Sequence, residues 1–216
     1  MVHLLNIHTA TETAIINVMA GPQILGSLSN RETNQHASFL HTAMSDLLHQ
    51  HSIDIKKIDG IGVTAGPGSY TGIRVGLASA MGVAYALKIP IMTFNTLEVM
   101  ALSAINFTKD HTALYCPMID ARRMEVYAAV YDVDMEEIIS PSPVILDENS
   151  FAGLRGSPKI IFSGKGSDKF KQVSKHPNAI FINQELSSEA LAQIAWKKYS
   201  QNDFENLPYA RPLYMK

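Results

Sequence analysis

The sequence predicts an α/β protein built from two lobes on one plan, and three observations predict it. Apolar strands and amphipathic helices alternate along the first hundred residues. A second strand–turn–strand unit opens near residue 111: NIHTATETAIINV (6–18) and MIDARRMEVYAAV (118–130) align without a gap, His8 on Asp120 and Ala14-Ile15 on Val126-Tyr127. Residues 160–170, IIFSGKGSDKF, echo 61–71, IGVTAGPGSYT, each an apolar strand followed by Gly-x-Gly-Ser. Each echo is weak alone; their shared order points to duplicated βββαβα lobes.

The elements follow in chain order. HLLNIHTA and TAIINVMAG are two strands about a short turn. Gly21 and Pro22 supply the next turn, and ILGSLSN makes a third strand of an antiparallel meander. In NQHASFLHTAMSDLLHQH, Ala37, Leu40, Met44, Leu47 and Leu48 form one helical stripe, with Asn34 as the expected cap. IDGIGVTAG is a buried strand, and a helix over 72–87 ends near Lys88, before Pro90. IMTF is a further strand and 95–106 a further helix. SSEALAQIAWKKYS closes the second half as a helix, with Leu191, Ile194, Ala195 and Tyr199 at core spacing and Ser187 or Ser188 as cap. The polar NFTKDHT marks the boundary, giving lobes at 1–108 and 109–216, with the chain end expected to pack back on the first lobe.

Composition narrows the function classes. Of the 216 residues, 46% are hydrophobic and 18% charged, the balance of a folded globular chain. The net charge of −2 gives the surface as a whole no electrostatic pull on nucleic acid. Cys116 is the only cysteine, so no intramolecular disulfide forms and a cysteine zinc site is excluded. The start, MVHLLNIHTATETAII, lacks a basic segment and a continuous apolar core, and no run of about 20 apolar residues follows. A cytoplasmic location is expected.

The stretch GPGSYTG (66–72) raises the question of chemistry. A P-loop needs lysine after its last glycine, and Ile73 stands there; a dinucleotide loop needs a third glycine, and Thr71 stands there. Two readings stay open. Either the loop is a turn that starts the helix, with Ser69 or Thr71 as cap, or Gly66, Gly68, Ser69, Tyr70 and Arg74 contact a phosphate at the helix start. Arg74 opposes the helix dipole there, so a carboxylate or phosphate partner is expected for it, a solvated surface arginine being the alternative. The helix is apolar almost all round. Gly72, Gly76, Ala80 and Ala84 recur every fourth residue, so another backbone comes close along that face; a partner helix is one candidate, burial within the lobe the other.

The remaining candidates are thinner. Lobe one has His8 where lobe two has Asp120, and a neutral imidazole is a poor ligand for Mg²⁺. His36, His41, His49 and His51 lack the i, i+4 spacing of a helical zinc pair, and no G-x-S-x-G elbow occurs. Arg122, Arg123 and Glu125 form either a solvated charged turn or a site toward the cleft between lobes.

Taken together, IHTATETA, HASFLHTAMSDLL, GPGSYTGIRVGLASAMGVAYAL, IDARRMEVYAAVYD and ARPLY resemble the TsaB (YeaZ) family over nearly the whole chain. The resemblance implies a two-lobed fold of the actin, sugar-kinase and Hsp70 kind, related to ribonuclease H. It implies a non-catalytic but obligatory part in forming threonylcarbamoyladenosine on tRNAs that read codons beginning with A. The implied partners are the catalytic subunit TsaD, the ATPase TsaE and a second copy of the chain, with tRNA reached through the complex. No cofactor is implied for this chain alone; ATP or ADP would sit at the complex interface. The partner-binding positions on the matching helices are His36, Leu40, His41, Met44, Gly72, Ile73, Gly76, Leu77, Ala80 and Ala84. Family members usually carry aspartate where His8 stands, and the H-x-x-x-H helix of TsaD-type metal binding is missing. A small-molecule kinase or a glycoprotease-like peptidase of the same fold is the alternative.

Overall fold

The computed structural model describes residues 1–32, 36–154 and 156–215. In the first half, β1 (His3–His8), β2 (Ala14–Ala20) and β3 (Gln23–Asn30) form the meander, and α1 (His36–Gln50) follows. β4 (Gly60–Gly66), α2 (Tyr70–Leu87), β5 (Ile91–Asn95) and α3 (Thr96–Thr108) continue the chain. The cap expected at Asn34 lies outside the described residues. The second half runs β6 (Leu114–Asp120), β7 (Glu125–Tyr131), β8 (Glu137–Ile145), β9 (Ile160–Ser163), α4 (Gly166–Val173), β10 (Ala179–Ile182) and α5 (Ser188–Ser200).

Two five-stranded sheets result, ordered β3-β2-β1-β4-β5 and β10-β9-β6-β7-β8. Read from the meander edge inward, the two orders are the same. In each, the meander is antiparallel, and the last two strands run parallel to its first strand. The repeat seen in sequence is therefore a repeat of wiring: β1 corresponds to β6, and both end on the aligned residues His8 and Asp120.

The second half departs from the βββαβα plan at one place. Between β8 and β9 the described residues hold only a 3-10 turn at Ala152–Leu154, where the first half has α1. LDENSFAGL and the residues after it carry no helical apolar stripe, and Gly and Pro punctuate them. Sequence reading also passes over β8 and β10. Pro141 and Pro143 disguise β8, but it is an edge strand, where a missing N–H is tolerated. β10 is only four residues long.

The compact units differ from the expected division at 108/109. One comprises Met1–Thr96 with Leu191–Leu213; the other comprises Leu97–Ala190 with the residues from Tyr214. Helix α3 thus belongs to the second unit almost whole. The segment after α5 belongs to the first. Glu205 bonds through its amide to the Ile91 carbonyl and through its carboxylate to the Thr93 hydroxyl, at 2.8 and 2.7 Å. The Leu213 amide reaches the Ala65 carbonyl at 2.7 Å. The Glu205 bonds cover the exposed edge of β5, a sensible use for the segment after α5, and the Leu213 bond ties the chain end to β4.

In the first unit, Leu5, Ile7, Ile16, Val18, Ile61 and Val63 face α1 and α2, which contribute Leu40, Ala43, Met44, Leu47, Leu77, Ala80 and Ala84. In the second, Phe151, Phe162, Phe170 and Phe181 interlock edge to face and stacked, with ring centroids 4.9–6.0 Å apart. No helix among the described residues is long and apolar enough to cross a membrane.

Candidate functional site

Ligands of open α/β sheets bind beyond the carboxyl ends of the parallel strands. In the first unit that edge is made by the end of β1, the end of β4 and the loop into α2. His8, the last residue of β1, is fully buried. Its Nδ1 lies 2.9 Å from the Thr64 hydroxyl and its Nε2 lies 2.7 Å from the Thr11 hydroxyl. A neutral imidazole has one donor and one acceptor nitrogen, and two hydroxyls satisfy both. Burial pushes His8 down to about 3, and the charge of nearby His36 adds to the effect. His36 sets its Nε2 3.2 Å from the Thr11 carbonyl, and its buried Nδ1 has no hydrogen-bond partner among the described residues. His8 is thus a neutral bolt between β4 and the β1–β2 turn.

The glycine loop is closed on the same turn. The Ser69 amide donates to the Ala10 carbonyl at 2.7 Å, and Ser69 Oγ caps α2 by accepting from the Gly72 amide at 3.2 Å. Thr9 Oγ1 donates to the Gly72 carbonyl at 2.6 Å. Gly66 and Gly68 have φ of +123° and +151°, and a Cβ on either would strike backbone: the Leu213 carbonyl for Gly66, the Ala10 carbonyl for Gly68. At Gly66, Gly68 and Ser69 the loop thus packs against the chain's own backbone. Their close approaches serve the chain's own turn and tail. Tyr70 and Arg74 stand apart from that closure. Both are exposed, and the Arg74 guanidinium lies 3.7 Å from the centre of the Tyr70 ring.

The helix residues expected to meet a partner lie, with one exception, inside the first unit. His36, Leu40, Met44, Gly72, Ile73, Gly76, Leu77, Ala80 and Ala84 are all buried within the first unit; His41 alone is exposed, its Nε2 3.4 Å from the Ser79 hydroxyl. The reason is plain at the glycines. A Cβ on Gly72 would collide with the Thr9 carbonyl. One on Gly76 would collide with the Thr9 hydroxyl and lie 3.5 Å from the Ile7 and Val63 methyls. The close approach that the small residues announce is made by Thr9, just past β1, and by Ile7 and Val63 of the protein's own sheet. Residue 82 lies about 200° round the helix from residue 80. That outward face carries a second small-residue run, Ala78, Gly82 and Ala86, beside Tyr85, which is 79% exposed. A Cβ on Gly82 would meet nothing within 4 Å. Sequence spacing contained both runs; it could not say which one faced inward.

In the second unit, Asp120 ends β6 as His8 ends β1. Its Oδ1 accepts from the Arg122 amide at 2.8 Å and from Lys169 Nζ at 2.9 Å. Burial resists its ionisation, but Lys169 and the Arg122 amide outweigh it and hold the carboxyl below its ordinary value. Gly166, at the start of α4, packs against Met118, Val126 and Ile119, so the Gly-Lys-Gly-Ser turn abuts the same hairpin.

Two mixed sheets of one wiring, each ending its first strand on a polar residue, define the two-lobed α/β class to which sugar kinases belong. An inorganic polyphosphate/ATP-glucomannokinase from Arthrobacter has this fold at a TM-score of 0.50 and 11% identity, over 94% of this chain and all of that one. YeaZ from Pseudomonas aeruginosa superposes with a TM-score of 0.84 and 23% identity over the full length of both chains. The tRNA threonylcarbamoyladenosine biosynthesis protein TsaB of Bacillus subtilis is 27% identical over 173 residues, covering 79% of this chain and 74% of that protein. Residues 23–204 match the family described as TsaD, tRNA N6-adenosine threonylcarbamoyltransferase. The chain belongs to that family, on its TsaB (YeaZ) branch.

Proposed function

We propose that this chain is a non-catalytic subunit for forming threonylcarbamoyladenosine on tRNAs that read codons beginning with A. It acts in the cytoplasm by binding and activating the catalytic subunit TsaD, together with the ATPase TsaE. The family supports the pathway. The observation that carries the non-catalytic part is the state of the two strand ends. A phosphoryl-transferring site of this fold class needs carboxylates there to hold metal and phosphate. His8 is neutral and locked between two threonines, and Asp120 already holds its own turn and Lys169.

Binding falls to the exposed side of the first unit's helices. Ala78, Gly82, Tyr85 and Ala86 offer a flat apolar strip on a rigid helix, with the small residues allowing close approach. This strip is where a second copy of the chain and TsaD would compete. Any ATP or ADP would lie at the assembled interface, nearest the exposed Tyr70–Arg74 pair. The test is ATP turnover by the isolated chain alongside its co-elution with TsaD. The proposal expects co-elution without turnover; turnover abolished by Asp120→Asn would restore the kinase alternative.

A further inference from the structure

The hairpin between β6 and β7 is built against its own residue preferences. Arg122 and Arg123 hold φ of +75° and +44° in succession, left-handed positions that glycine and asparagine take more readily than a long side chain. The Ala121 amide donates to the Glu125 carbonyl at 3.1 Å and the Glu125 amide to the Arg122 carbonyl at 3.0 Å. Asp120 fastens the turn through the Arg122 amide. The nearby carboxylate that could have paired with a guanidinium is thereby occupied, by that amide and by Lys169. Both arginines are exposed, and among the described residues neither guanidinium has a hydrogen-bond or ion-pair partner. Lys165, also exposed, precedes Gly166, which packs against Ile119 beside the turn. Two exposed guanidinium groups thus stand on one hairpin of a chain whose net charge is −2.

We propose that the Arg122–Arg123 turn is an RNA-contacting tip whose two guanidinium forks grip backbone phosphates of the tRNA. Strained backbone that a sequence keeps against an easier alternative marks a functional demand on the side chains. Here the demand is for two planar donor forks on one tight turn, the chemistry that matches phosphate oxygens. The proposal rests on the reading that the pathway's substrate is tRNA, and it adds a direct contact by this chain.

The test is binding of an unmodified tRNA transcript to the full-length chain, measured by fluorescence anisotropy over a salt series. The double variant Arg122→Asn/Arg123→Gly places residues that tolerate left-handed backbone at both positions, so it should fold at least as stably, which thermal denaturation checks. It should bind tRNA about tenfold more weakly, with the slope of log K on log salt lowered by about 1.4–1.8 for two lost phosphate contacts. Arg122→Lys/Arg123→Lys should keep the slope and lose part of the affinity. Unchanged affinity and slope in the Asn-Gly variant overturn the proposal, as does a wild-type chain that binds tRNA no better than that variant. A loss seen toward polyglutamate but not toward tRNA overturns it in favour of an acidic protein partner. If tRNA modification needs the chain while the Asn-Gly variant binds normally, the contact is wrong and the functional reading stands. If modification proceeds without the chain while the slope still falls, the reverse holds.

Discussion

At the scale of single residues, His8 carries a pH dependence that can be measured. The unfolded chain takes up a proton at this imidazole below about pH 6.5, whereas the folded chain holds it neutral down to about 3. Between those values the unfolded state binds more protons. Stability therefore falls as pH falls, by about 1.4 kcal/mol per pH unit from this group, and the contribution levels off below the folded value. Urea unfolding at about pH 7 and about pH 5 should show the loss. The variant His8→Asn should be weaker at neutral pH and should lose that part of the slope. Two glycines on α2 give a paired prediction. Gly72→Ala drives a Cβ into the Thr9 carbonyl and should destabilise by about 1–3 kcal/mol. Gly82→Ala places the same methyl in open space on an exposed helix and should stabilise by up to about 1 kcal/mol. If thermal unfolding ranks the two the other way round, the assignment of the helix faces is wrong.

At the scale of elements, α2 holds the clearest division of labour. Ser69 starts it, Lys88 at φ +57° ends it, one small-residue run seats it on β1 and β4, and the opposite run is left open. The charged variant Gly82→Arg should fold normally, since its position is open, and should lose most association with TsaD in size exclusion. Retention of wild-type co-elution would remove this face from the account. Most of the element order was legible in the sequence because strands bounded by glycine and helices with apolar stripes announce themselves locally. What was not legible is the partner of each face. Gly72 and Gly76 say that something comes near; only the fold says that it is Thr9, by its carbonyl at Gly72 and its hydroxyl at Gly76. Nor does GPGSYTG reveal that the Ala10 and Leu213 carbonyls crowd Gly68 and Gly66, because both lie far away in sequence. Pro141 and Pro143 lie in β8, a strand whose place at the sheet edge makes their missing N–H groups acceptable.

At the scale of the whole molecule, one wiring has been used twice and tuned differently at the same point. The β1 end is closed by a neutral histidine, the glycine loop and the chain's own tail, while the β6 end offers charges on a hairpin. The first unit thereby becomes a rigid support for an exposed helix face, and neither strand end retains a carboxylate free of its own structural bonds. The central claim, that the chain works through assembly and supplies no chemistry, is met most directly by incorporation of labelled threonine into tRNA by the other components, assayed with and without this chain. The account predicts that incorporation depends on the chain and that the chain alone supports none. Undiminished incorporation in its absence would contradict it.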